Sequence, residues 1–345
     1  MIWELPFSFG RQSPTRSRRV ANILARAIFV AGVMPICFGQ SDLTDGHVAP
    51  RIIQTSPLRE IGERGGEAGS LRANVNLVLV PVTVTDRRDR LVLGLKKDNF
   101  SIYDRSEPQV IRYLSNEDAP LSLGIIFDTS SSMYGKMERS REAVIQFLRS
   151  ANPDDEFFLI GFADRPELLV DFTNSVDYIQ EQIAKASPDG GTALLDAIYV
   201  GLDTMRHARH ERKVLLIVSD GADNHSRYTI KELWPVVTEA EVQIYALGIF
   251  DDAPRTKAEH MGPDLLAAIT GITGGRTLPI RNLKKIGDAT SELSIELRNQ
   301  YLVAYRPSDL AHDGKWHKIT VRVTPFSNSS RLHVYAKGGY YASAE

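Results

Sequence analysis

Between residues 121 and 298 the chain alternates near-continuous apolar runs with amphipathic stretches. The runs 121–127, 156–163, 213–219 and 243–249 carry few polar side chains. Such uniformity is what a parallel strand covered on both faces requires, because neither face meets water. Shorter runs at 168–171 and 275–279 predict two further strands. Helices are predicted over 136–150, 176–186, 193–208, 230–240, 263–270 and 283–299. In the first of these, Met137, Val144, Phe147 and Leu148 recur at the spacing of one core-facing stripe. Strands alternating with helices predict an α/β fold, a doubly wound and mostly parallel sheet with helices on both faces.

Outside this region the period changes to two. From Asn74 to Val84, apolar and β-branched residues fill both alternating sets: Val75, Leu77, Leu79, Pro81 and Thr83 on one, Val78, Val80, Val82 and Val84 on the other. A strand apolar on both faces is expected to be covered on both. Asp86-Arg87-Arg88-Asp89 reads as a turn, followed by strands at 100–104 and 109–114. After Asn299 come strands at 301–305, 316–323 and 332–336, joined by turns at Asp313-Gly314 and Asn328-Ser329-Ser330. Three strands alone have no second layer to bury a face against. They are therefore expected to complete the module begun at Asn74, making a second, smaller β-sandwich-like module from flanking segments. The resulting organisation is a signal peptide at 1–40, a flexible linker at 41–72, the first β part at 73–118, the α/β domain at 119–298 and the second β part at 299–342. The linker follows from a polar stretch with Gly62, Gly65, Gly66 and Gly69 and no sustained periodicity.

With 345 residues the chain can bury two cores. A composition of 43% apolar and 24% charged residues is that of an ordinary globular protein. The formal net charge of −2 argues against nucleic acid as a partner, since a polyanion is held by excess cationic side chains. Arg16, Arg18, Arg19 and Arg26 precede a largely apolar stretch at 27–38 and the small residue Gly39, the layout of a secretory signal. That stretch is short for a bilayer span. Export to the periplasm, the cell surface or the medium is expected, with membrane contact only through this segment if it stays uncleaved. Cys37, the single cysteine, lies inside it, so the mature chain would have no disulfide, thiolate metal site or cysteine nucleophile.

The chemistry concentrates where the first apolar run ends. Asp128-Thr129-Ser130-Ser131-Ser132 offers one carboxylate and two hydroxyls at alternate positions, hard oxygens that suit a small cation such as magnesium. Open α/β sheets place ligands just beyond the carboxyl ends of their strands. Downstream, Gly190-Gly191-Thr192 opens a predicted helix, and the run 214–219 leads into Asp220-Gly221. These three segments, in this order, resemble the metal ion-dependent adhesion site of von Willebrand factor A domains, and the resemblance extends from Leu121 to near Arg298. A wider similarity, to a bacterial family of exported von Willebrand factor A-related proteins, is carried by ANVNLVLVPVTVTDRRDRLVLGLKKDNFSIYD at 73–104, PLSLGIIFDTSSSM at 120–133, YLVAYRP at 301–307 and GGYY at 338–341.

The resemblance implies that Ser130 and Ser132 bind a divalent ion directly, that Thr192 does so directly or in one conformation, and that Asp128 and Asp220 act through water. Mg2+ is the implied cofactor, with Mn2+ or Ca2+ as alternatives. Few anionic ligands leave such a cation electrophilic, so an unfilled position would take an Asp or Glu of an unidentified protein ligand. Ser131 stands where many relatives have glycine, and a backbone angle reserved for glycine would strain it. Without a metal, the loop would read as a helix N-cap and Asp220 as a turn residue.

Other candidates are weaker. His207 and His210 have a helical spacing that could bind zinc, but Arg206 and Arg209 make the segment a solvated basic helix end. Asp154-Asp155-Glu156 reads as a polar loop, and Asp223 and His225 as loop residues near the metal rim. An aspartyl-nucleophile phosphatase would want a second acid two positions after Asp128, where Ser130 stands. No phosphate-cradling glycine loop with a lysine and no serine elbow is present. The resemblance thus implies an exported, noncatalytic, metal-dependent protein-binding module of the adhesion type. The alternatives are a structural subunit of a cell-envelope or pilus assembly, or a metal-dependent hydrolase.

Overall fold

The computed structural model describes residues 77–116, 118–254, 256–308, 313–324 and 332–342. The signal and linker expected over 1–72, Cys37 among them, and the turn at 328–330 lie outside the described residues. In chain order the first elements are β1 (Val78–Thr85), β2 (Phe100–Asp104), β3 (Glu107–Gln109), β4 (Ile111–Ser115), β5 (Leu121–Asp128), α1 (Met137–Arg149), β6 (Glu156–Phe162), β7 (Pro166–Thr173), α2 (Val176–Lys185) and α3 (Leu194–Met205). Then follow β8 (Arg212–Ser219), α4 (Ile230–Glu239), β9 (Gln243–Ile249), α5 (Lys257–Ile272), β10 (Thr277–Ile280), α6 (Ile286–Arg298), β11 (Tyr301–Tyr305), β12 (Trp316–Val323), β13 (His333–Ala336) and β14 (Gly339–Tyr341).

The apolar runs build a six-stranded sheet in the order β10-β9-β8-β5-β6-β7. All neighbours are parallel except β7, which runs antiparallel to β6 at one edge. Every residue of β5, in the interior of the sheet, is buried. Val144 and Phe147 of α1, Ile179 of α2 and Leu293 of α6 pack on one face. Leu194 of α3, Leu233 of α4 and Leu266 of α5 pack on the other. Helices on both faces explain why the strand sequences show no polar alternation. Beside β5 the strand order reverses, with β6 on one side and β8 on the other, which leaves a crevice at their carboxyl ends.

The flanking segments form two four-stranded sheets, β13-β1-β11-β4 and β14-β12-β2-β3. Val80, Val82, Val84, Ile102, Val303 and Ile319 lie in the core of this sandwich. β1 pairs with β11 and β13, so strands that follow the α/β domain complete the sheet begun before it. The other face of β1 is also covered: Gln300 Nε2 donates to Thr83 Oγ1 at 3.2 Å and to Tyr245 Oη on β9 at 2.9 Å. β4 and β11 lie side by side, Ser115 opposite Leu302, so the chain leaves and re-enters the sandwich at neighbouring points. Arg298 ties this junction by binding Asp118 at 3.0 Å and also Asp155, while Arg212 donates to Ala119 O and Leu297 O.

Three local expectations change. The single strand expected at 109–114 is divided at Val110: β3 pairs with β2, and β4 joins β11 in the opposite sheet. A segment that turns a corner between two layers keeps its β-rich composition on both sides of the bend. The helix expected from Pro263 begins six residues earlier, at Lys257, where Thr256 and Glu259 form a reciprocal capping box. Proline is favoured at a first helical position, but two satisfied backbone donors decide the start here. The ending GGYY supplies β14, which had not been expected as a strand and pairs with β12.

Candidate functional site

The β5–β8 crevice gathers most of the oxygen donors singled out in the sequence. Parallel register places Phe127 beside Val218, so Asp128 and the Ser219-Asp220 pair emerge together at the carboxyl ends. Asp128 is fully buried, with Oδ1 accepting from Ser130 N at 2.8 Å and Oδ2 from Ser219 Oγ at 2.5 Å. Burial raises its carboxyl to about 6, and the charge of Asp220 adds to the rise; hydrogen bonds from Ser130 and Ser219 oppose it. Asp220 is buried too, accepting from Ala222 N at 3.1 Å and Lys136 Nζ at 3.4 Å.

Ser130 and Ser132 point their hydroxyls at one another, Oγ to Oγ 3.0 Å. Ser130 precedes a short 3-10 turn, Ser131–Met133, yet its side chain makes no capping bond, so the hydroxyl is not spent on the turn. Positive φ outside glycine occurs among the described residues at Asp89, Arg105 and Ser106, and so Ser131 carries none of the strain a glycine position would impose. The Thr192 segment is drawn alongside. Ser131 N donates to Gly190 O at 3.1 Å and Asp189 N to Thr129 O at 2.9 Å. Asn224 Oδ1 accepts from Thr192 N at 2.9 Å, and Asp164 Oδ1 from Gly191 N at 2.6 Å. Thr192 itself is buried. Gly221 has φ +76°, and a Cβ there would lie 2.6 Å from Gly262 O, so the turn after Asp220 and the backbone of α5 approach too closely for a side chain.

The geometry fits a small octahedral cation in one measurable respect. Metal–oxygen bonds of about 2.1 Å at right angles separate adjacent oxygens by about 3 Å, the spacing of the two serine hydroxyls. Only two carboxylates are involved, and among the described residues no group of three or more His, Cys, Asp or Glu side chains is arranged to hold a metal. Any ion here would depend on hydroxyls.

Several residues not singled out in the sequence support this centre: Ser219 on Asp128, Lys136 on Asp220, and Asp164 and Asn224 on the threonine segment. A cue existed for some of them. Asp128, Asp164, Asp220 and Asp251 each end or closely follow one of the adjoining strands β5, β6, β8 and β9, where a ligand crevice is expected. Lys136 gave no such cue, because it reads as the first residue of a helix.

Other expectations are corrected. Asp223 does not face the rim: its Oδ1 accepts from Leu194 N at 3.0 Å and Ser226 Oγ at 2.5 Å, capping α3. His225, 3.9 Å from Asp164, is exposed, whereas Asp223 is half-buried. Asp155 and Glu156 are buried anchors instead of a polar loop. Asp155 accepts from Leu121 N and Asn152 N, and Glu156 from Ser122 Oγ and Arg209 N. Helix α3 ends at Met205, so His207 and His210 lack the helical spacing that would pair them on zinc, and His210 Nε2 lies 2.9 Å from Asp154 O.

Residues 123–222 match the model of the von Willebrand factor type A domain. Inter-alpha-trypsin inhibitor heavy chain H4 of Sus scrofa is 25% identical over 156 residues, 41% of this chain and 17% of that protein. The protein of the same name from Bos taurus is 27% identical over 115 residues, 30% of this chain and 13% of its own. The matched stretch thus spans under a fifth of either relative. Among solved structures, von Willebrand factor type A from Catenulispora acidiphila covers 75% of this chain and 73% of its own at 13% identity, with a TM-score of 0.45. The vWF domain of the type V pili tip protein Mfa5 from Porphyromonas gingivalis covers 52% and 95% at 12% identity, with a TM-score of 0.42. Residues 123–222, which run from β5 to the turn after β8, thus match the von Willebrand factor type A domain, and they lie in a six-stranded α/β sheet with helices on both faces.

Proposed function

We propose that the domain binds a divalent cation through Ser130, Ser132 and Thr192, with Asp128 and Asp220 as outer carboxylates, and captures an Asp or Glu side chain of a protein partner. The observation that carries this reading is the pair of hydroxyls 3.0 Å apart beside two buried acids at the switch point of the sheet. When bound, the cation supplies an electrophilic position for an incoming carboxylate. The protein's share of the work is orientation. Ser219 and Ser130 N hold Asp128 from both sides, and Asn224 and Asp164 hold the Thr192 segment.

Mg2+ suits a hydroxyl-rich donor set, with Mn2+ or Ca2+ as substitutes. The reading is noncatalytic: both oxygens of Asp128 are engaged in hydrogen bonds, and Ser130 leaves no acid two positions on to protonate a leaving group. Arginines followed by an apolar stretch at 16–38 support an exported protein. Calorimetric titration of the full chain with MgCl2, MnCl2 and CaCl2, followed by an acidic-peptide array in Mg2+ and in EDTA, tests the proposal. Saturable one-site metal binding and chelator-reversible peptide capture, both lost in Ser130→Ala, are the expected results; peptide capture unaffected by EDTA would reject it.

A further inference from the structure

Lys136 immediately precedes α1, yet its side chain is only 8% exposed. Nζ lies 2.9 Å from Asp251 Oδ2, 3.4 Å from Asp220 Oδ2 and 3.5 Å from Ile249 O, so one ammonium joins the start of α1 to the ends of β8 and β9. Its backbone is fixed as well: Lys136 N donates to Met133 O, and Lys136 O accepts from both Ser140 N and Ser140 Oγ. An ammonium this deeply placed is tolerated only with partners, and here the partners are a buried acid and a half-exposed one.

The chain has arranged a positive charge where it already needs one. Asp128 and Asp220 sit at the ends of neighbouring strands, both buried, and two such acids repel unless a cation intervenes. A divalent ion would relieve that repulsion, and the ammonium of Lys136 already relieves part of it from the Asp220 side. The two positive charges then act on the same carboxylate and repel one another.

We infer that Lys136 is a built-in stand-in for the divalent cation, neutralising Asp220 while the metal is absent and lowering the affinity of the site for metal. The inference rests on the metal-binding reading above. It makes the centre one that survives loss of its ion and exchanges it readily.

The sign of one substitution separates this from a positioning role. If Lys136 merely oriented Asp220, Lys136→Met would weaken metal binding. If it stands in for the ion, Lys136→Met in the full chain tightens binding of MgCl2 and MnCl2 by about tenfold, because a like charge in a partly desolvated site is removed. The same variant loses stability in EDTA and gains more from MgCl2 than the parent does, while Lys136→Arg keeps the parental affinity. Asp251→Asn, at an exposed residue that leaves the core intact, is expected to shift the ammonium's charge pairing onto Asp220 and weaken Mg2+ binding by about threefold. This second variant keeps the test open should Lys136→Met not fold. Unchanged or weaker metal binding in Lys136→Met, or unchanged binding in Asp251→Asn, overturns the inference while leaving the metal reading in place. A parent chain that binds no divalent ion removes both.

Discussion

Ser219 Oγ donates to Asp128 Oδ2 at 2.5 Å and accepts from Gly221 N at 2.9 Å, so one hydroxyl on β8 fixes both the acid that ends β5 and the turn that follows Asp220. Replacing it would orphan two buried polar atoms. Ser219→Ala is expected to cost about 1–3 kcal/mol in urea unfolding and to weaken Mg2+ binding in the same preparation. Full retention of both quantities would show that this bond organises nothing.

Metal-linked stability is a direct readout of the proposed centre. At magnesium concentrations about a hundred times the dissociation constant, a ligand that binds only the folded chain adds about 2.7 kcal/mol. Asp128→Ala should show no such gain. Equal stabilisation of parent and variant in denaturant titrations with and without MgCl2 would place any magnesium site elsewhere.

The core of the α/β domain offers a test independent of metal. A Cβ added at Gly124, in the interior of β5, would collide with the ring of Phe158 and lie 2.5 Å from Leu215 Cδ2. Both neighbours are fully buried and cannot swing away. Gly124→Ala should destabilise the chain by about 1–3 kcal/mol through overpacking, read as a lower urea midpoint at unchanged slope.

Glu296 gives a pH dependence with a definite sign. Burial raises its carboxyl above the usual range, although the Arg276 guanidinium, bonded to it at 2.8 Å, pulls the other way. A folded-state value above the unfolded one means that the folded chain holds this proton more tightly. Its favourable contribution is therefore complete below the unfolded value of about 4.5 and is lost as pH rises through the higher folded value. Glu296→Gln removes that dependence, so the variant should gain on the parent between pH 4 and pH 7. A stability difference that stays flat across this interval would contradict the assignment.

Much of the α/β layer was legible because burial on both faces leaves a visible mark: 121–127 and 213–219 have almost no polar side chains, and they became β5 and β8. The sandwich was legible by a different route, since strands at 301–305 and 316–323 had no face to cover unless they met the earlier ones. What failed were positions decided by contacts across the chain. Val110 marks a change of sheet that no local propensity encodes. Asp223 and Asp155 looked like loop acids, yet each satisfies backbone donors about 30 residues away. Lys136 resembled an ordinary first helical residue, and its partners Asp220 and Asp251 lie 84 and 115 positions downstream.

The neighbouring placement of Ser115 and Leu302 has a mechanical consequence. Tension on the α/β domain reaches the sandwich through the end of β4 and the start of β11, which face the same way in one antiparallel pair. Load on that pair lifts both strands together instead of prising them apart. Resistance then falls to the next ladder, the five registered pairs between β1 and β11, which is strained lengthwise in shear. A pull applied at the carboxyl ends of the α/β strands would thus meet the ladder orientation in which many hydrogen bonds share the strain at once.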